Sequence, residues 1–223
     1  MININGNLNN KMLLDCIHRA AREYSRLIDN EYLFIGKNRD SDYVWFRCYF
    51  EKKHFMHLLG IDCKSMEATA FFDKANNFNN GKGTGIQISE CNPSRKHNRE
   101  TINKKSSCCA AMLHLEDAKY LNVGMKELTT QEVDFDYTYG NEATLGFAKK
   151  GASSIPITLI PSSIEKYSIQ KYRVIFLFRK KRKETVFSDL VVQSRKGLFD
   201  ELYPELPAAL KVMVEEPATK KTP

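Results

Sequence analysis

Residues 133–148 read VDFDYTYGNEATLGFA, and this stretch decides the fold class. From Val133 to Tyr139, apolar and aromatic residues alternate with acidic or hydroxyl residues, which is the period of a half-exposed β-strand. Gly140 and Asn141 form a turn signal, and a second apolar run follows over residues 143–148. The stretch therefore predicts an antiparallel hairpin. It also marks the point along the chain where the spacing of apolar residues changes from a helical to a strand pattern.

Downstream of this hairpin, the sequence predicts two more strands. Residues 172–178 and 185–192 are rich in β-branched and aromatic residues, and they flank a run of five basic residues that we interpret as a hairpin turn. Residues 153–163 contain serine and proline at intervals, and they predict a connecting segment rather than a strand. The C-terminal half is thus expected to form an antiparallel meander.

Upstream of residue 133, helical patterns dominate. Apolar residues recur at i, i+3, i+4 and i+7 over residues 13–28, which predicts an amphipathic helix. Further helices are predicted over residues 52–59, with Gly60 as the stop, over 66–75, with Ser65 as the cap, and over 101–121, ending near Gly124. Only residues 43–50, YVWFRCYF, read as a strand in this half.

These patterns predict an α+β fold in which N-terminal helices precede a roughly four-stranded antiparallel sheet. We expect a flexible lead over residues 1–10, a single domain over 11–195, and a partly mobile C-terminal extension over 196–223. Hydrophobic residues make up 42% of the 223 residues, which is enough for a real core and excludes wholesale disorder.

Composition excludes several classes of protein. The longest apolar runs fall far short of the roughly 20 residues that span a bilayer, and the Asn-rich start has no signal-peptide pattern, so we expect a cytoplasmic protein. The glycines of the GKGTG segment predict a turn, since no phosphate-loop context surrounds them. Metal-ligand spacing is also missing, so neither a metal nor another cofactor is expected. The only loose ligand set in the sequence is Cys91, His97, Cys108, Cys109 and His114, and buried or idle thiols are the favoured interpretation over a metal site.

Four segments together resemble a known family. They are residues 50–61 (FEKKHFMHLLGI), 145–147 (LGF), 156–159 (PITL) and the hairpin that begins with 172–175 (YRVI). Their order and spacing resemble the phage-associated branch of the Barnase, EndoU, colicin and RelE-like nucleases, and more narrowly its fourth phage subfamily. The resemblance spans about residues 10–195. It implies a small α+β nuclease fold, a metal-independent RNase activity and carriage on phages or other mobile elements.

Metal-independent RNA cleavage needs an acid, a base and cations that hold the developing charge on phosphorus. His57 matches the histidine of the family's F-x-H-L pattern, and we predict that it transfers the proton; the alternative is a helix histidine that packs beside Leu58. Lys149 and Arg173 are the predicted phosphate-binding cations. Thr158 stands where the family pattern places a small hydroxyl, usually serine, so only a hydrogen bond to phosphate is expected of it.

The predicted nucleic-acid-binding residues are basic. An arginine in an apolar strand must find an anion or a route to water, so Arg47 and Arg173 have a structural alternative, an ion pair with Asp134, Asp136 or Glu142. The basic run has an alternative role in guarding a strand edge. The tyrosines at 43, 137, 139 and 172 are interpreted as stacking or core residues. The full set is Arg47, Lys150, Arg179, Lys180, Lys181, Arg182 and Lys183.

The net charge of +7 suits a polyanionic partner, and the predicted partner is RNA, with tRNA among the substrates considered. The predicted function is therefore a toxin- or effector-like ribonuclease that acts by general acid-base transesterification. The alternative is a non-catalytic protein-binding effector or inhibitor that keeps the fold. An antitoxin or another protein partner stays open at this point, and so does simple nucleic-acid binding without cleavage.

Overall fold

One mixed eight-stranded sheet organises the chain, and six α-helices accompany it within residues 8–95, 97–125 and 135–216, the parts that the computed structural model describes. The helices are α1 (Asn10–Ser25), α2 (Lys52–Leu58), α3 (Ala68–Asn79), α4 (Arg99–Leu113), α5 (Leu198–Leu202) and α6 (Ala208–Lys211). The strands are β1 (Asn30–Lys37), β2 (Tyr43–Tyr49), β3 (Asn122–Met125), β4 (Tyr137–Gly140), β5 (Thr144–Lys150), β6 (Ser153–Ile160), β7 (Tyr172–Lys181) and β8 (Asp189–Gln193).

The α+β class is confirmed, but the prediction of a four-stranded antiparallel sheet is wrong. The strand order is β1-β2-β6-β5-β4-β3-β7-β8, and β1 also pairs with β7, so seven strands close into a ring of pairings with β8 outside it. The β2–β6 pair is parallel, and the other pairs are antiparallel. Each strand of the ring thus has a partner on both sides, which leaves fewer exposed edges.

Three strands of the sheet, β1, β3 and β6, were not predicted from the sequence, and each can be explained physically. The run NEYLFIGK of β1 is buried almost throughout, so it lacks the alternation that signals a half-exposed strand. Strand β6 contains Pro156, which pairs with Phe147 next to a register shift in β5, where a missing backbone N–H is tolerated. Residues 153–160 are therefore a strand and not the predicted connection.

Strand β3 corrects the prediction of one long helix over residues 101–121. Helix α4 ends at Leu113, a 3₁₀ segment covers Leu115–Tyr120, and Gly124 lies inside β3 rather than stopping a helix. A Cβ at Gly124 would come within 2.5 Å of the Ser168 hydroxyl, so close packing accounts for this glycine. Helix α3 likewise starts at Ala68, with Glu67 and not Ser65 as its N-cap.

The main core lies between the helices and one face of the sheet. Helix α1 begins at the Asn9 cap, whose side chain accepts a hydrogen bond from the Met12 N–H, and its predicted apolar stripe is buried. Leu13, Ile17 and Tyr24 of this stripe contact the core that also includes apolar residues of α3 and α4. None of the described helices is both long and apolar enough to cross a membrane.

A second, smaller core covers the other face of β1 and β7. Leu33 and Ile35 of β1 pack there with Phe176 and Phe178 of β7. Helices α5 and α6 and the residues that flank α6 supply its outer layer, through Leu198, Phe199, Leu206, Leu210 and Val214. The segment that follows β8 is thus packed against the sheet as far as residue 214. Residues 1–7, 133–134 and 217–223, on which other predictions fall, lie outside the described residues.

Lys105 is an unusual member of helix α4 because its side chain lies in the core. The residue is 4% exposed, and its Nζ lies 3.1 Å from Nε2 of His97. Burial lowers the pKa of Lys105 from 10.5 to about 8, although Cys108 and Cys109 act in the opposite direction. The buried ammonium therefore costs folding free energy at neutral pH.

Replacement of Lys105 by methionine is expected to stabilise the protein at pH 7 by up to about 3 kcal/mol. The sign follows from linkage. The folded pKa lies below the unfolded one, so the unfolded chain binds more protons between pH 8 and 10.5, and wild-type stability rises with pH through that window. Urea unfolding of both proteins from pH 7 to 10 measures the difference. Parallel stability curves for wild type and Lys105→Met would contradict the assignment.

Candidate nucleic-acid interface

Helix α2 carries the predicted proton-transfer residue, His57. Two residues separate the end of β2 from the start of this helix, and Phe55 and Leu58 anchor it in the core with fully buried side chains. Gly60 ends it with a φ of 71°, which favours glycine. His57 lies in the last turn on the exposed side of the helix. The structure thus leaves its imidazole accessible to a ligand, whereas the alternative role required packing.

His54, one turn earlier, is in a different environment. Its residue is only 8% exposed, and its Nε2 lies 3.6 Å from Oε2 of Glu51. Burial lowers the pKa of His54 to about 4; the nearby Glu51 raises it, and Lys53, Lys150 and His57 lower it further. His54 is therefore neutral at pH 7. Because the charges of His57 and Lys150 both act on the pKa of His54, both residues lie near His54.

A cleft opens beside β2, where this strand meets the β5–β6 hairpin. The described residues pair β2 with β6 at one position, Cys48 with Ser154. The cleft has a volume of about 340 Å³. Its lining combines two cations, Arg47 and Lys149, with three aromatic residues and two serines, and Met213 from the segment after α6 contributes to one wall. The aromatic residues are Trp45, Tyr137 and the buried Phe46, and the serines are Ser153 and Ser154.

Arg47 is held in this cleft by a buried carboxylate. Its Nε donates to the carbonyl of Ala152 at 3.1 Å and lies 3.3 Å from Oε1 of Glu31. The Glu31 side chain is 10% exposed, and it also accepts hydrogen bonds from the Ser153 hydroxyl and from Nζ of Lys180, the latter at 2.8 Å. The prediction of an acidic partner among residues 134, 136 and 142 is therefore wrong for Arg47, because β1 supplies the partner.

The electrostatics of Glu31 reflect a balance of opposing effects. Burial raises the pKa of this carboxyl, but the hydrogen bonds from Lys180 and Ser153, together with the charges of Arg47 and Lys180, outweigh burial and lower the pKa below its usual value. Glu31 is therefore ionised at neutral pH. It fixes the guanidinium of Arg47 at the wall of the cleft, which preorganises this cation for an anionic ligand.

Lys149 and Lys150 stand at the end of β5 and are both exposed, as predicted. Lys149 lines the cleft, with its Nζ 5.5 Å from the centre of the Tyr137 ring, while its backbone N–H donates to Asp136 at 2.7 Å. Lys150 acts on the other side of the hairpin, where its charge lowers the pKa of Glu51 and of His54. Successive strand residues alternate in direction, so the two lysines face the cleft and helix α2 respectively.

The predicted basic turn is partly strand, and carboxylates pair with three of its five cations. Arg179, Lys180 and Lys181 belong to β7. Arg179 binds Asp189, Lys180 is 6% exposed and binds Glu31, and Arg182 lies 3.5 Å from Glu51 with its guanidinium 4.1 Å from the Tyr49 ring centre. Lys181 and Lys183 are exposed. Arg179 and Lys180 therefore have a mainly structural role, and the cations presented to solvent belong to residues 181–183.

Two predicted residues lie elsewhere. Arg173 is exposed near the start of β7, paired in register with Asn122 and Lys37, seven residues from Lys180, which is roughly 23 Å along a strand. Thr158 is buried in β6, opposite Gly146, and its methyl group lies 2.9 Å from the position of a Cβ at that glycine. Arg173 therefore lies at the opposite end of β7 from Lys180, and Thr158 is a buried residue of β6; their predicted roles at the phosphate stay predictions.

No group of three or more His, Cys, Asp or Glu side chains in residues 8–95, 97–125 and 135–216 is placed to hold a metal ion. The six cysteines are all buried and free. Because burial raises the pKa of Cys91 and Cys108 to about 12, these two thiols stay protonated at neutral pH.

The comparison with protein families agrees with this arrangement of elements. The model of the family described as phage-Barnase-EndoU-ColicinE5/D-RelE like nuclease4 matches residues 16–192. The chain belongs to this family. The match covers α1 from Cys16 onward, the cleft apart from Met213, and every strand except the last residue of β8, and it confirms the resemblance based on the four short motifs. No curated protein and no solved structure matches the chain.

As a member of this phage nuclease family, the chain is of the Barnase, EndoU, colicin and RelE type, and its substrate class is nucleic acid. Sequence reasoning missed Trp45, Glu31 and Ser153 of the interface; Trp45 was interpreted only as part of the strand over residues 43–50. Glu31 was missed because β1 was not identified as a strand, although its β-favouring run NEYLFI was a usable signal. Ser153 was missed because its segment was interpreted as a connection.

Proposed function

We propose that this phage nuclease-family chain is a metal-independent ribonuclease with a toxin-like role on a mobile element. The observation that carries the proposal is the cleft between β2 and the β5–β6 hairpin, which joins two cations to two aromatic rings. Cations hold phosphate without reading sequence, and aromatic faces stack on unpaired bases. Arg47 and Lys149 would hold the phosphate, and Trp45 and Tyr137 would contact the bases.

The proposed reaction is transesterification at phosphorus. The ribose 2′-oxygen forms a bond to phosphorus while its proton passes to His57, and the bond to the 5′-oxygen breaks as that oxygen takes a proton from the imidazolium. The products are a 2′,3′-cyclic phosphate and a free 5′-hydroxyl. His57 suits this role because it is exposed at the end of α2, near Lys150, while His54 is held neutral by burial.

Cations nearby would stabilise the charge that develops on the phosphate oxygens. Lys150 lies on the α2 side of the hairpin, and Lys149 and Arg47 lie on its cleft side. Substrate that follows the hairpin would therefore pass from the aromatic cleft toward His57. Arg173 and Thr158 are left out of this site because of their positions.

Cleavage of a single-stranded RNA in the presence of EDTA tests the proposed activity. We expect products that end in a 2′,3′-cyclic phosphate, detected by mass spectrometry, and no cleavage of the DNA of the same sequence, which lacks the attacking hydroxyl. Purified folded protein that leaves both RNA and tRNA intact from pH 5 to 9 would contradict the proposal. If such protein still captured one stoichiometric protein partner, the non-catalytic effector would replace the ribonuclease.

Replacement of Lys149 by alanine is expected to weaken binding of a 2′-O-methyl RNA and to reduce the salt dependence of that binding. Loss of one phosphate contact on a single strand lowers the slope of log affinity against log salt by about 0.7. Fluorescence anisotropy between 50 and 200 mM salt measures this slope. Lys82→Ala is the matched control, because Lys82 is an exposed lysine in the glycine-rich turn after α3. Equal slopes for the two variants would remove Lys149 from the interface.

A further inference from the structure

A second concavity lies away from this cleft, between the ends of α1 and α4 and the strands β1 and β7. Its volume is about 190 Å³, below the roughly 300–1,000 Å³ of sites for drug-sized ligands, so it fits a group of phosphate size. Helix α1 contributes Glu23 and Arg26, the segment after α4 contributes His114 and Glu116, and the strands contribute Tyr32 and Arg179. Nothing in the proposed nuclease site uses these residues.

His114 and Glu23 form an oriented pair in this pocket. Nδ1 of His114 lies 3.1 Å from Oε2 of Glu23, whose side chain is mostly buried. A carboxylate oxygen only accepts, so Nδ1 is the donor in this hydrogen bond, and the bond fixes the orientation of the ring. The ring is therefore fixed with its second nitrogen, Nε2, available for a ligand.

Two arginines flank the histidine. Nη1 of Arg26 donates to Glu23 at 2.8 Å, and Arg179 binds Asp189 through Nε at 2.8 Å. A guanidinium has five N–H donors, so each arginine keeps donors beyond those that these bonds use. The Tyr32 hydroxyl lies on the same wall, and burial, the largest of several influences, raises its pKa to about 12, so it stays a neutral hydroxyl.

The position of Glu116 indicates what the pocket would accept. Its Oε2 lies 3.7 Å from Nε2 of His114, and its side chain is 77% exposed. An internal carboxylate thus stands where an external anion would meet this ring nitrogen. Because it is exposed, it can move aside at little cost.

We propose that this pocket binds a phosphate group, carried by a nucleotide, by an RNA end or as free phosphate, and that the ligand displaces the Glu116 carboxylate from His114. His114, Arg26 and Arg179 supply the donors, and Glu23 positions His114. The site is independent of His57 and of the β5–β6 cleft.

The test uses imidazole ¹H–¹⁵N spectra of the full-length protein at pH 6.5 during titration with inorganic phosphate, against sodium chloride of equal ionic strength. We expect saturable shifts of the His114 signals with phosphate alone. His114→Gln should abolish phosphate binding by calorimetry, and Glu116→Gln should tighten it by about two- to fivefold, since the competing charge is removed. Lys82→Ala should bind as wild type does.

A second arm distinguishes the sources of the phosphate. The competitors are a 2′-O-methyl RNA with a 5′-phosphate and the same RNA without it. If only the phosphorylated RNA displaces inorganic phosphate, the natural ligand is an RNA end. If neither RNA displaces it, the natural ligand is a small molecule. Equal shifts with sodium chloride, or weaker binding by Glu116→Gln, would overturn the proposal. Wild-type protein that cleaves RNA but binds no phosphate rejects this pocket alone, and wild-type protein that binds phosphate but cleaves no RNA rejects the nuclease site alone.

Discussion

Replacement of His57 by glutamine is expected to reduce RNA cleavage by about a hundred- to ten-thousand-fold, because it removes the group that transfers the proton. Glutamine keeps the polarity and approximate size of the side chain. His57 is exposed at the end of α2, so the substitution leaves the buried anchors Phe55 and Leu58 in place. Single-turnover cleavage of a labelled RNA in EDTA measures the rate.

The control for this prediction is the stability and binding of the same variant. His57→Gln should unfold at the wild-type urea concentration and should bind 2′-O-methyl RNA with little change, since the cleft cations are intact. A variant that cuts RNA at the wild-type rate would exclude His57 from the chemistry. If His114→Gln were inactive instead, the catalytic centre would lie at the second pocket, and the ribonuclease activity itself would stand.

Replacement of Glu31 by glutamine is expected to destabilise the protein by about 3–5 kcal/mol, the usual effect of removing one partner from a buried ion pair. The change leaves Lys180 buried without its carboxylate and releases Arg47 from its anchor. Urea unfolding at pH 7 measures the difference. The matched control is Glu165→Gln, which removes an exposed carboxylate paired with Lys171 and should cost less than about 1 kcal/mol.

The same carboxylate predicts a pH dependence. The folded pKa of Glu31 lies below its unfolded value of 4.5, so its contribution to stability is present above pH 4.5 and is lost as pH falls through the folded pKa. Wild type should therefore lose stability more steeply in acid than Glu31→Gln does. A double variant that also replaces Lys180 by methionine should recover part of the loss, because the unpaired ammonium is gone. Equal costs for Glu31→Gln and Glu165→Gln would show that the pair is not buried in solution.

Sequence patterns located those helices, strands and exposed candidate residues whose signal comes from neighbouring residues in the chain. The apolar stripe of α1 is a property of helical spacing, and the hairpin over residues 137–150 follows from alternation around Gly140. The exposure of His57 between buried Phe55 and Leu58 follows from the helical period of α2. Lys149 and Lys150 were identified as a strand end because Gly151 follows them.

The rest depended on contacts between distant residues. Strand β1 is buried on both faces, so its sequence lacks alternation, and its pairing with β2 and β7 decides which residues its side chains meet. For this reason Glu31 could not be matched to Arg47 and Lys180 in advance. Likewise, His114 lies near Glu23 only because α4 packs along α1. The two residues are 91 positions apart in the chain.

Taken alone, the sequence determined the α+β class, the first helix, the hairpins and the family. These properties depend on side-chain period and on short motifs, both of which are local. The tertiary structure alone decided the eight-stranded ring, the pairing of the basic run with carboxylates, and the two pockets. Which side chains are buried and which charges pair depends on the distant strands and helices that pack together. The periodicity of one sequence does not contain that information.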